Sequence, residues 1–253
     1  GDLALPDGVR VVAGANPPDQ AAGGYDLSPP LANRFCHINY TPSVQDWLAG
    51  TAARWKVTPA TRAVIASDER RSATLSSVMG FINVRPDLLD KMPDSPEERG
   101  GAWPSRRTWT MLADTLAHLR TDDLAAIEAA TFGLVGEGAG LEFISWLEKA
   151  DLPDPEAVTA DPSIVDWAKE RQDRVWAILT GVVTLAAQRG TVEAFRAAWK
   201  PLGAAADAGV ADMAAASART LATFRPPSTR IPAEMRKFEP LLRAAGLLGE
   251  DAA

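Results

Sequence analysis

Three polar side chains stand at the ends of expected secondary-structure elements: Asn16, Arg34 and Arg107. Asn16 follows the β-branched run Val9-Arg10-Val11-Val12-Ala13-Gly14, and Arg34 precedes the alternating run Phe35-Cys36-His37-Ile38-Asn39-Tyr40. Taken singly, Asn16 has an ordinary use in a turn and Arg34 an ordinary use against a carboxylate. Arg107 is less ordinary. Ser105 is of the N-cap type, so Arg107 falls in the first turn of the helix that follows, where a cation opposes the helix dipole unless an anion lies there. Position and sign together point to phosphate.

Other chemistries find little support in the residue types. A phosphate-binding loop needs glycines whose backbone N–H groups surround the phosphates, then a lysine and a hydroxyl residue. No such sequence is present, and its nearest imitation, Gly136-Glu137-Gly138-Ala139-Gly140, lacks the lysine and reads as a turn between helices. Val64-Ile65-Ala66-Ser67-Asp68-Glu69 has the apolar-then-acidic pattern that can hold magnesium, yet Ser67 and Asp68 more simply cap the next helix. Cys36 and His37 are adjacent on an expected strand and point to opposite faces, so they make a poor metal or nucleophile pair. His118 ends a helix beside Arg120, a position that suits a surface or dipole role.

The elements that must position these groups change character along the chain. Two short strands are expected, at 9–14 and 35–40, the first closed by Asn16-Pro17-Pro18-Asp19 and the second by Pro42. Between them Ser28-Pro29-Pro30 can start a short helix carrying Leu31, Asn33 and Arg34. From Ser43 onward the pattern is helical. Val44, Trp47 and Leu48 share one face, Leu75, Val78, Met79 and Ile82 another, and Trp109, Leu112, Leu116 and Leu119 a third. Asp90 to Pro104 reads as a long exposed loop, and further helices run through Leu124-Ile127-Leu134 and Leu141-Ile144-Leu147. Asp151-Leu152-Pro153-Asp154-Pro155 is the best linker of the second half, Gly190-Thr191 punctuates the alanine-rich helices beyond it, and Pro226-Pro227 introduces a last helix with Phe238, Leu241, Leu242 and Leu247.

Composition bounds what such a chain can be. Its 253 residues are 46% hydrophobic and 23% charged, ordinary for a globular protein and enough for a sizeable core. A net charge of -7 argues against broad attraction to nucleic acid or anionic lipid. The single cysteine rules out an internal disulfide and fits a reducing compartment. The first residues show no secretory leader, and Val175–Ala187 falls short of the ~20 apolar residues that cross a bilayer, so it reads as a buried helix. A cytoplasmic protein without membrane insertion is expected.

Three stretches, in order, resemble the later half of a MoxR-type AAA+ ATPase. Val11-Val12-Ala13-Gly14-Ala15-Asn16-Pro17-Pro18 is similar to the sensor-1 strand and turn, and Gly24-Tyr25-Asp26-Leu27-Ser28-Pro29-Pro30-Leu31-Ala32-Asn33-Arg34-Phe35 to the arginine-finger segment. Gly101-Ala102-Trp103-Pro104-Ser105-Arg106-Arg107-Thr108-Trp109 is similar to the start of the sensor-2 helix. A looser similarity continues to Trp199.

The resemblance implies a mainly α chain. The C-terminal part of a nucleotide-binding α/β core with two strands would occupy 1–57, a helical lid 58–150 and a helical extension 151–253. By resemblance, Asn16 holds the γ-phosphate or orients water, Arg34 acts in trans as the arginine finger, and Arg107 reports the nucleotide of its own subunit. The family usually has proline where this chain has Arg106. The Walker A and Walker B motifs, which precede sensor 1 in the family, are not in this sequence. ATP and Mg²⁺ are thus expected for the intact protein, neither is expected to bind tightly to this chain alone, and the chain alone is expected to lack ATPase activity. In the family's sheet the phosphate-loop strand lies between the two strands expected here, which would leave both without that partner. Implied partners are like subunits in a hexameric ring and a client protein, such as one with a von Willebrand factor A domain, but no nucleic acid. The rival reading is an inactive helical interaction or scaffold protein carrying a relic of the ATPase signature.

Overall fold

The computed structural model describes residues 9, 11–16, 27–56, 65–227 and 229–248. The described chain is mainly helical, with α1 (Pro29–Ala32), α2 (Val44–Ala52), α3 (Asp68–Val84), α4 (Pro96–Arg99), α5 (Arg106–Ala117) and α6 (Leu124–Val135). It continues with α7 (Glu137–Ala150), α8 (Pro155–Ala160), α9 (Gln172–Arg189), α10 (Val192–Asp207), α11 (Ala211–Thr223) and α12 (Glu239–Ala244). None of these helices is long and apolar enough to cross a membrane.

Serine, threonine and aspartate caps start many of these helices where the sequence places them. Ser67 accepts the Arg70 amide, Asp123 that of Ala126 and Thr191 that of Ala194. Glycines end or turn them: Gly190, at φ 61°, closes α9, and Gly136, at φ 78°, joins α6 to α7. At Gly136 a Cβ would also lie 2.8 Å from the Ala102 carbonyl oxygen, so both backbone conformation and space require glycine there.

Two hydrophobic cores result. The first gathers Val78 and Phe81 of α3, Trp109, Leu112 and Leu116 of α5, and Leu134 and Phe143 of α6 and α7. Its centre is aromatic: Phe81, Trp109 and Phe143 are mutually 5.4–5.7 Å apart between ring centroids, tilted or edge-on. The second spans α8 to α12 around Leu179, Phe195, Trp199, Leu202 and Leu221. The seam between them is the packing of α3 on α9, and it is made of small residues. Ser72 Oγ donates to the Gly181 carbonyl at 2.9 Å, and a Cβ on Gly80 would lie 2.7 Å from that of Ala177. The buried stripe of α5 and the buried helix at 175–187 agree with the sequence pattern.

Several expectations need correction. Neither 9–14 nor 35–40 forms a strand among the described residues; Val9, Val11 and Val12 are exposed, and His37 N–H donates to the Gly133 carbonyl at 2.7 Å rather than to a ladder. A strand needs a neighbour to satisfy its backbone, and no described segment supplies one. Ser28 does precede α1, but its side chain makes no capping bond. Asp90 to Pro104 is not simply an exposed loop, because it contains α4 and closes with Lys91 N–H donating to the buried Pro104 carbonyl at 3.0 Å. The last helix is shorter than the pattern suggests, a 3-10 turn over Glu234–Phe238 leading into α12. Finally, α2 forms but its apolar face stays exposed.

Candidate functional site

The N-terminus of α5 is the best-built polar position near the sequence-nominated residues. Ser105 and Thr108 form a reciprocal cap: Thr108 N–H donates to Ser105 Oγ at 3.2 Å, and Ser105 N–H donates to Thr108 Oγ1 at 2.8 Å. Trp109, one residue on, is anchored by its indole N–H donating to the Leu88 carbonyl at 2.8 Å. The helix start is therefore fixed both in direction and in rotation.

Asn33 fastens a second segment to that cap. It is 4% exposed, its Oδ1 accepts from Ser105 Oγ at 2.6 Å, and its Nδ2 donates to the Trp103 carbonyl at 3.1 Å. The end of α1 is thus locked against the start of α5, with Arg34 immediately after the lock and Arg107 two residues after Ser105. The structure brings these two arginine-bearing segments to one end of the first core. Arg34 is exposed and donates to the Pro30 carbonyl of its own turn rather than to a carboxylate. Arg107 is exposed, and no carboxylate among the described residues pairs with it. Arg106 differs: it lies 3.9 Å from Asp90 and borders a cleft between α3 and α5.

Asn16 is not gathered into this site. It is exposed, and no hydrogen bond among the described residues joins it to α1 or α5. Asn33 is the residue that sequence reasoning left without a role. Its partner lies 72 residues away, so no local period or cap signals it; an amide able to donate and accept beside a distant serine cap is its only mark.

The neighbouring thiol and imidazoles have structural uses. Cys36 is exposed as a residue, yet its sulfur sits against the Gly133 backbone, and that burial pushes the thiol pKa up, away from a reactive thiolate. His37 Nε2 lies 2.9 Å from the Ala32 carbonyl oxygen, bracing the same segment as Asn33. Close passage of this segment over α6 explains Gly133, where a Cβ would meet the His37 carbonyl oxygen at 2.4 Å. His118 ends α5 with Nε2 3.3 Å from an Arg71 guanidinium nitrogen.

The donor set defines what this position can do. The exposed Arg107 guanidinium and the start of α5 can meet the outer oxygens of one anion, and the exposed Arg34 offers a second, separate cation on the adjoining turn. No group of three or more His, Cys, Asp and Glu residues converges among the described residues, while Mg²⁺ carried by a nucleotide takes only one or two carboxylates, the rest of its shell being phosphate and water. Nor does the sequence hold a glycine-lysine loop to wrap β- and γ-phosphates. The residues described do not fit a complete magnesium-nucleotide site. Comparison of the chain with protein-family models, with curated proteins and with solved structures finds no match.

Proposed function

We propose that this chain is the C-terminal portion of a MoxR-like AAA+ ATPase that, when intact, hydrolyses ATP in a cytoplasmic, hexameric ring to remodel or mature a partner protein. The observation that carries the reading is the Asn33–Ser105 lock, which puts the segment resembling the arginine finger and the helix resembling sensor 2 on one end of one core. Two exposed guanidiniums held on a rigid helix start and a braced turn suit the sensing of phosphate charge from two directions. In this reading Arg107 faces nucleotide bound to its own subunit, Arg34 faces the neighbour's, and Asn16 joins the site with the rest of the core. Client proteins with a von Willebrand factor A domain belong to the same proposal.

Tryptophan fluorescence tests it, because Trp103 carries the carbonyl that Asn33 holds and Trp109 sits in the first turns of α5. Emission is expected to change on adding ATP only when a segment bearing a lysine phosphate loop and an acidic magnesium motif is supplied in trans, and Arg107→Ala is expected to remove the change. The chain alone is expected to show no ATP turnover; turnover that Arg107→Ala abolishes overturns that expectation. No fluorescence response with the added segment favours a helical scaffold, a reading that the exposed apolar face of α2 also suits.

A further inference from the structure

The segment that bears Arg34 is fastened to the helices over a short length. Ala32 and Asn33 are buried and Phe35 and His37 half-buried, whereas every residue from Ile38 to Ala49 is exposed. Among the described residues, the hydrogen bonds that tie this segment to α5 and α6 are those of Asn33 with Ser105 and Trp103, and that of the His37 N–H with the Gly133 carbonyl. Within the segment, His37 Nε2 lies 2.9 Å from the Ala32 carbonyl oxygen and the Phe35 N–H donates to the same oxygen at 3.1 Å. Residues 32–37 therefore hold their own shape.

The seat beneath them is shaped for close approach, yet it is satisfied without them. Gly133 stands in the last turn of α6, where alanine has the better helix propensity. A Cβ there would lie 2.4 Å from the His37 carbonyl oxygen and 2.9 Å from Cys36 Sγ, so it is the passing segment that demands glycine. Under Asn33, the start of α5 keeps partners of its own. Ser105 Oγ accepts the Thr108 N–H at 3.2 Å, and the Trp103 carbonyl accepts from Thr108 Oγ1 at 3.2 Å. Lifting the segment opens the Gly133 carbonyl to water and strands no polar group of α5. Neutral hydrogen bonds of this kind each shift such an opening equilibrium only on the order of tenfold.

We propose that residues 32–37 are a latch that opens and closes on α5 and α6 as a unit, without unfolding of either core, and that its closed state is what holds the Arg34 turn against the start of the Arg107 helix. Arg34 lies within the latch and α2 follows it, so opening releases both together. The bearing of the latch on the two arginines rests on the nucleotide reading above; the opening itself does not.

Native-state hydrogen exchange of the full chain in rising, sub-denaturing urea tests it. The His37 amide is expected to be protected at least about 100-fold less than the slowest amides of α9, with little dependence on urea, as befits a local opening that exposes little surface. Gly133→Ala is expected to lower that protection at least about tenfold while the thermal midpoint moves by no more than about 4 °C, because the alanine favours α6 as it displaces the latch. Asn33→Ala is expected to lower it by about tenfold through loss of the Ser105 and Trp103 contacts, and Gly138→Ala, which meets nothing within 4 Å, to leave it unchanged. A His37 amide that exchanges only through global unfolding, with the urea slope of α9, overturns the proposal. So does a Gly133→Ala or Asn33→Ala chain in which His37 stays protected, or a Gly133→Ala chain whose midpoint falls well beyond that range, since latch and core would then be one unit. None of these readouts needs nucleotide, so the latch can fail while the tryptophan response to ATP holds, and that response can fail while the latch holds.

Discussion

α2 and α5 begin with the same local design and end in opposite environments. Each has a serine N-cap whose hydroxyl accepts the amide three residues on, and a side chain at that position returning a bond to the serine N–H. Each carries tryptophan and leucine on one face. Yet Trp109 is 2% exposed and Trp47 is 55% exposed. Capping and period specify that a helix forms, whereas burial depends on what other segments bring to its face. For α5 the partners are Phe81 of α3 and Phe143 of α7. For α2, Gly50 is covered by Trp55, three residues past the helix end, while the face bearing Val44, Trp47 and Leu48 is left open.

Breaking the buried side of the contrast has the largest expected effect. Trp109→Ala removes one member of the aromatic cluster and its indole bond to Leu88, and should cost roughly 3–5 kcal/mol of stability. Trp47→Ala on dilute, monomeric chain should fall within about 0.5 kcal/mol, as for an exposed position. Urea unfolding followed by circular dichroism measures both. Similar losses for the two tryptophans would mean that α2 has a partner within its own chain.

The next effect lies at the seam that holds α3, the main partner of α5, against α9. Gly80→Ala places a methyl 2.7 Å from the Ala177 methyl, so the helices must separate, at a cost of roughly 1–3 kcal/mol. Gly138→Ala in the first turn of α7 meets nothing within 4 Å and should be neutral or stabilising, by up to about 1 kcal/mol. Thermal midpoints moving in the same direction would contradict the close-packed seam.

Removing the two caps sharpens the comparison at smaller scale. Ser105→Ala loses a helix cap and the hydroxyl that holds Asn33, so about 2 kcal/mol of global stability is expected to go. Ser43→Ala loses only a cap on an exposed helix. It should reduce helicity by fraying α2 while leaving the midpoint of the main unfolding transition in place, a split that hydrogen exchange resolves residue by residue.

What the sequence reveals follows the same division. The α5 stripe, the buried run in α9, the Gly136 turn and the Gly190-Thr191 break are legible because periods and caps are written within a few residues. The buried side of α3 is not, because Ser72, Ser76 and Gly80 look like a solvated face until Ala177 and Gly181 come close enough to require small residues. The β-branched run at 9–14 and the alternation at 35–40 state a preference for strand, but a strand is a pairing, and among the described residues the pairing is missing. At the candidate site, Ser105 and Arg107 could be placed from the sequence by cap and charge. Asn33 could not, since its meaning lies in a contact 72 residues away.

Acid gives the smallest and most selective probe of the contrast. Asp46 and Glu69 both occupy first turns, and both are held below the usual carboxylate range chiefly by hydrogen bonds from their caps, Ser43 and Ser67. Only Glu69 also has a tertiary partner: Arg189 of α9 donates to it at 2.6 Å and to Glu156 of α8 at 2.9 Å, and Glu69 lies at about 2. A carboxyl whose folded pKa is depressed stabilises the fold fully above its unfolded value of 4.5, and that contribution is lost as pH falls from there toward about 2. Both groups lie near solvent, so the effect is modest and salt-sensitive. Glu69→Gln should therefore lose less urea stability than the parent chain between about pH 5 and about pH 3, because it no longer takes up that proton. Asp46→Asn should leave this slope unchanged and alter only the helicity of α2. If Asp46→Asn flattens the acid slope as much as Glu69→Gln does, then α2 contributes to global stability, and its exposure in the folded chain is not what separates it from α5.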